Sequence, residues 1–181
     1  MNLVEYNQLT QLILNPKHFT TPKEIDDDVL RFIKSGYKKA NPQFIPVIPE
    51  LWARFNCCDY NVEEKIKRNK GKAIFGYKIW YNPKLYIEAE PHVIWKSETG
   101  ELLDPTFNIN SEDKILFYAD PRLKTVKIKH PNEKRCAAFT RQIAEWISMK
   151  RNIEIQTIPI KKTSNFNPLQ CPTFEEWKKA K

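Results

Sequence analysis

Residues 87–106 read Ile-Glu-Ala-Glu-Pro-His-Val-Ile-Trp-Lys-Ser-Glu-Thr-Gly-Glu-Leu-Leu-Asp-Pro-Thr. His92 opens an apolar run, Val93-Ile94-Trp95, and a polar turn over Lys96 to Gly100 leads to Leu102, Leu103 and Asp104, closed by Pro105. Two extended segments joined by a Gly-containing turn predict a β-hairpin. Such a hairpin sets His92 and Asp104 side by side on adjoining strands. An aspartate bonded to one imidazole nitrogen fixes the tautomer and leaves the other nitrogen free to act as a base. A nucleophile would complete the set, and upstream stands the pair Cys57-Cys58.

Working outward, the 181 residues predict one domain, with a helical part over 1–45, a core over 46–120 that carries these residues, and a basic part over 121–181. Hydrophobic residues make up 41%, enough for a core, and five Trp with ten Phe make aromatic packing a large share of it. No apolar run approaches the roughly 20 residues a membrane span needs, and the first residues lack the pattern of a signal peptide. The four Cys form neither a disulfide framework nor a Cys-x-x-Cys, and there are only three His, so no metal or cofactor is expected. A reducing, cytoplasmic setting, in a bacterial, phage or host cell, is the expectation. The net charge of +8 is lopsided: residues 121–181 hold 14 Lys and Arg against 5 Asp and Glu. A basic end of that kind can attract nucleic acid or an acidic partner, although no groove-reading motif accompanies it.

Leu3, Tyr6, Leu9 and Ile13 share a helical face over 3–14. A second helix is expected to start at Thr21, with Pro22 at its first position, Glu24 closing a capping box, and Ile25, Val29, Phe32 and Ile33 inward. The Pro-punctuated stretch 41–56 approaches the cysteines, and 59–69 is helix-compatible, acidic in its first turn and basic in its last. The cysteines then sit at a helix N-terminus, where unpaired N–H groups stabilise a thiolate and can stabilise an oxyanion. Strands are expected over 73–81, 84–89, 114–119 and 123–129, a helix over 133–150 with Cys136 in its core face, extended chain over 153–160, a loop to 172, and a last helix capped by Thr173 and Glu176. His18 and His130 have no carboxylate nearby in sequence and are expected at the surface.

His92-Val-Ile-Trp95 with Leu103-Asp104-Pro105-Thr106 resembles the His and Asp strands of transglutaminase-like, papain-related cysteine enzymes. A closer resemblance over 46–106 rests on Cys58-x-x-Asn61-Val62, on Gly76-Tyr77-Lys78-Ile79-Trp80, on Glu88 and Glu90 ahead of His92, and on the His…Trp…Gly…Asp-Pro-Thr run. Together these resemble a bacterial and viral family, some members of which carry a zinc-binding SEC-C tail; the clustered Cys and His of that tail are not in this sequence. The resemblance implies a papain-like α+β fold, with N-terminal helices and a Cys-bearing helix packed on an antiparallel sheet. It implies a Cys58, His92, Asp104 site, with Cys57 the neighbour rather than the nucleophile. It supplies no substrate.

The chemistry expected is that of a cysteine-dependent hydrolase or acyltransferase of the amidase or peptidase type, acting on an acyl or amide substrate such as a protein or peptide. Asn61 has two roles open, contributing to the oxyanion site or holding the helix start. Tyr77 and Trp80 are candidates for a substrate groove or for the core. Trp95 is a candidate wall of the site, although strict strand alternation places it on the opposite face. The alternatives are an interaction module that keeps the fold without catalysis, and a nucleic-acid-associated protein using its basic end.

Overall fold

The computed structural model describes residues 1–108, 110–127, 134–161 and 167–180, the side chains of 157–161 excepted. The fold is α+β, with an antiparallel sheet and several helices. The chain divides into two compact units, each of three segments: Met1–Lys39, Ile79–Glu90 and Lys127–Asn165 in one, and Ala40–Lys78, Pro91–Val126 and Phe166–Lys181 in the other.

The second unit holds β1 (Gln43–Pro46), α3 (Cys58–Asn69), most of β2 (Lys72–Asn82), the second half of β3 (Tyr86–Lys96), β4 (Leu102–Leu103), β5 (Lys114–Ala119) and a short last helix, α5 (Phe174–Lys179). Its strands run in the order β1-β5-β2-β3-β4. The two ends then meet, because Asp104 N–H donates to the Pro46 carbonyl at 2.9 Å and Ile48 N–H to the Asp104 carbonyl at 2.9 Å. The sheet therefore closes on itself. Alternation sorts its side chains into two layers: Ile45, Ile74, Ile94, Leu102, Ile115 and Phe117 pack together, while Ala73, Phe75, Val93, Trp95 and Leu103 pack against Val62 and Ile66 of α3. Where β2 and β5 cross, a Cβ on Gly76 would stand 2.1 Å from the Tyr118 carbonyl oxygen and 2.5 Å from the Phe117 ring.

The first unit holds α1 (Leu3–Ile13), α2 (Asp27–Gly36), the remainders of β2 and β3, β6 (Arg135–Ala138) and α4 (Arg141–Lys161). Ile13, Tyr86, Ile143, Trp146 and Ile147 form its core. Trp146 is fully buried, with its indole N–H 2.9 Å from Thr10 Oγ1.

Several elements differ from their sequence expectation. Helix α2 starts at Asp27, not at Thr21: Asp26 caps it, accepting from Val29 N–H at 2.8 Å, and Pro22 stays outside, so Ile25 is exposed. Thr20 is held instead in a bridge to Tyr81. The strands expected at 84–89 and around His92 are one strand, β3, running through Pro91. Residues 43–46, read only as an approach, form β1 on β5. The helix expected over 133–150 is two elements. Arg135–Ala138 pairs with Tyr86–Ala89 as β6, carrying the half-buried Cys136. Helix α4 begins after Thr140, whose Oγ1 accepts from Ile143 N–H, and Ala144 faces solvent. Residues 153–160, expected extended, continue α4, with Glu154 bonded back to Lys150. Residues 123–127 form no strand; 128, 129 and His130 lie outside the described residues, and His18 is exposed. Helix α5 carries the Thr173–Glu176 capping box.

Gly76→Ala should destabilise the protein by about 2 kcal/mol or more, since the methyl meets backbone that cannot swing away. Urea unfolding measures it, and a change within a few tenths of a kcal/mol would contradict the packing described.

Candidate active site

Cys58, His92 and Asp104 lie in the same unit, at the start of α3, on β3 and just past β4. Cys58 is the first residue of α3, and it is half-buried. The chain enters the helix through Asn56, at φ 53°, a left-handed turn that Asn tolerates better than most residues. The first helical bond runs from Asn61 N–H to the Cys57 carbonyl at 2.9 Å, so the N–H groups of Cys58 and Asp59 precede the hydrogen-bonded ladder.

His92 lies on β3 and is 6% exposed. Its Nε2 is 2.8 Å from Oδ2 of Asp104, which is 1% exposed. Asp104 is not within β4, as the hairpin reading had it, but just past its end, where the chain leaves Leu103 to bridge Val47 of the strand-1 side. Its second carboxylate oxygen, Oδ1, accepts from Thr106 N–H at 2.9 Å. With Nε2 taken, Nδ1 is the ring nitrogen left for a second partner, and Cys58 is near enough to favour the charged ring. Burial works against a proton on His92; the Asp104 carboxylate, then Cys58, outweigh it and hold the imidazole well above its ordinary pKa.

The neighbouring cysteine is placed differently. Cys57 is 1% exposed, and its thiol points to the Phe55 carbonyl at 3.2 Å. Burial first, then Cys171, pushes that thiol up to about 12, so it carries almost no thiolate at neutral pH.

Asn61 is fully buried, and its amide is consumed by the protein. Oδ1 accepts from Arg54 N–H at 2.6 Å, while Nδ2 donates to the Arg54 carbonyl at 2.8 Å and to Thr106 Oγ1 at 3.3 Å. No amide hydrogen remains for an oxyanion, so of its two sequence roles the structural one is seen. Asn61 joins the turn before Cys58 to Thr106, which in turn grips Asp104. Sequence reasoning missed Thr106 and Arg54; the Asp-Pro-Thr run carried the signal for Thr106, and Arg54 has none, because it is the backbone of Arg54 that Asn61 holds.

Of the aromatic candidates, only Trp95 shares a cluster with a site residue, the one against which Cys58 packs. Trp95 is buried against Val62, Val93 and Leu103, its indole N–H donating to the Lys70 carbonyl at 2.8 Å, and it anchors the far end of α3. Tyr77 stacks on Tyr118 at 5.3 Å. Trp80 belongs to the other unit, stacked on Phe19 with its N–H on Glu90. Among the described residues no three His, Cys, Asp or Glu side chains are grouped to hold a metal ion, and no helix is long and apolar enough to cross a membrane.

Comparison of the chain with protein-family models, with curated proteins and with solved structures found no match.

Two measurements check the site. The folded chain binds the His92 proton more tightly than the unfolded chain. The stability this pair contributes is therefore full below the ordinary imidazole pKa of about 6.5 and is lost as pH rises through the raised value. NMR titration should find an imidazolium persisting above neutral pH in the wild type, and a lower transition in Asp104→Asn; an ordinary His92 in the wild type would contradict the geometry. Asn61→Ala leaves the Arg54 N–H without its partner and takes one of two donors from the Arg54 carbonyl, and should lower stability by about 2 kcal/mol in urea unfolding.

Proposed function

We propose that the protein is a cysteine-dependent hydrolase or acyltransferase of the papain-like, transglutaminase-like class, acting on amide, ester or thioester carbonyls. The observation that carries this reading is the buried His92–Asp104 bond of 2.8 Å, with Cys58 at a helix start and near enough to His92 to favour its charged form. A thiol needs a base in reach and the base an orienter, and each role has one occupant here.

In this reading Cys58 gives its proton to His92, and the resulting imidazolium is held by Asp104. The thiolate adds to the substrate carbonyl, and the developing oxyanion meets the unpaired N–H groups at the start of α3. His92 protonates the leaving amine, alcohol or thiol as the carbonyl re-forms, leaving an acyl group on Cys58. Water or an acceptor amine, deprotonated by His92, then attacks the acyl carbon and releases the thiolate. The position of Cys58 at a helix start and the buried His92–Asp104 bond support this reading over a non-catalytic module, in which the fold alone would suffice. A nucleic-acid role for residues 121–181 has less support. Lys134 and Lys150 pair with Glu154, Arg122 with Asp120, and Arg135 donates to the Phe32 carbonyl, so part of that charge is engaged within the fold.

At neutral pH a small uncharged electrophile should label Cys58 ahead of Cys57, Cys136 and Cys171, as read by peptide mass mapping. Replacing His92 by Ala should slow that labelling roughly 10²-fold. Equal labelling of all four thiols, or an unchanged rate in His92→Ala, would end the reading.

A further inference from the structure

The C-terminal segment brings a second thiol to the turn that precedes Cys58. Arg54 bridges Thr173 in antiparallel register. Phe55 N–H donates to the Pro172 carbonyl at 3.0 Å, Phe174 N–H to the Ala53 carbonyl at 2.8 Å, and Glu175 N–H to the Leu51 carbonyl at 3.1 Å. The Arg54 guanidinium reaches the Cys171 carbonyl at 2.8 Å. Carried on in the same direction, this pairing sets Cys171 beside Asn56 and Cys57, near enough that Cys171 adds to the upward shift of the Cys57 thiol. Both are free thiols, Cys57 buried and Cys171 half-buried.

We propose that Cys57 and Cys171 form a disulfide when the protein meets a low-molecular-weight disulfide such as oxidised glutathione. The less buried partner, Cys171, is the point of entry. Cys171, deprotonated, attacks one sulfur of the oxidant, forms a mixed disulfide and expels one small thiolate. Cys57 then loses its proton and attacks the Cys171 sulfur, expelling the second small thiolate. Two protein thiols lose two electrons and two protons; the oxidant gains both and leaves as two thiols. Cys57 reacts last because its burial leaves it little thiolate until the mixed disulfide is alongside.

Cys58 stays out of this exchange. Its side chain lies near His92, and neighbouring Cα atoms stand about 3.8 Å apart, short of the roughly 4.4–6.8 Å that a disulfide spans. The cross-link would fasten the segment carrying Phe174 and Trp177, whose rings pack on Phe107 at 5.0 Å and 5.4 Å, to the residue just before Cys58. It closes a loop of more than a hundred residues, the long kind whose closure restricts the unfolded chain most. The pair stands whether or not Cys58 is a nucleophile.

The test incubates the full chain with oxidised glutathione and follows intact mass, free-thiol count and non-reducing peptide maps. The expected wild-type product has lost the mass of two hydrogen atoms, keeps Cys58 and Cys136 free, yields a Cys57–Cys171 peptide, and melts at a higher temperature than the reduced protein. Cys171→Ser should show neither the cross-link nor the rise in Tm, while Cys58→Ser and Cys136→Ser should show both. Four thiols persisting in the wild type, a bridge through Cys58, or a stable glutathione adduct on Cys171 that never resolves would each overturn the proposal.

Discussion

One buried amide holds the site together. The Asn61 side chain grips both backbone groups of Arg54 and reaches Thr106, and Thr106 N–H grips the carboxylate that faces His92. The pair it supports is nearly sealed from water, which makes its attraction strong and the penalty for misplacing it large. A buried charge pair is tolerated only when its geometry is fixed and its spare oxygen is satisfied. Here Thr106 satisfies that oxygen, and Asn61 fixes Thr106 against the turn that presents Cys58. The helix that carries the sulfur and the loop that carries the carboxylate are thereby tied by one side chain.

The closed sheet explains why these groups meet where they do. In β3, Val93 and Trp95 point toward α3, and Ile94 points the other way. His92 comes just after Pro91, at the end of that alternating run, and Asp104 comes just after β4, where the chain turns to join Val47. Asp104 therefore sits where strand order gives way to a loop, and its carboxylate reaches His92 on the neighbouring strand. Trp95 and Lys65 keep α3 in place from its other end: the indole binds the Lys70 carbonyl, and the Lys65 ammonium lies 5.2 Å over the ring while bonding Glu50.

Much of this was legible in the chain because local and tertiary preferences agree. Acids at the start and bases at the end of 58–69, followed by Lys70-Gly71, mark α3 within a residue; Thr173 and Glu176 mark α5. The hairpin through Gly100 implied that His92 and Asp104 would be neighbours. Where the reading failed, a long-range partner overrode a local pattern. Thr21-Pro22 looks like a helix start, but Tyr81 takes Thr20 into a bridge and the cap passes to Asp26. Arg135–Ala138 has no strand character of its own, and it is extended because Tyr86–Ala89 offers an unpaired edge. Ile153 and Ile155 alternate as a strand would, yet they prolong a helix already nucleated on Trp146. Asn61 was visible as a residue of interest, while its partners were not, since a backbone carbonyl leaves no mark in a sequence.

The closure between Pro46 and Asp104 also governs when the site exists. Its defining contacts join residues nearly sixty positions apart, and those of the last segment join residues more than a hundred apart. Local collapse reaches neither, because distant chain segments must first find each other. During synthesis the sulfur of Cys58 emerges well ahead of its imidazole, its carboxylate and the Pro172 carbonyl that steadies Phe55. A nascent chain thus carries an unassisted thiol, and the polar machinery that would sharpen it assembles only once the whole polypeptide is available.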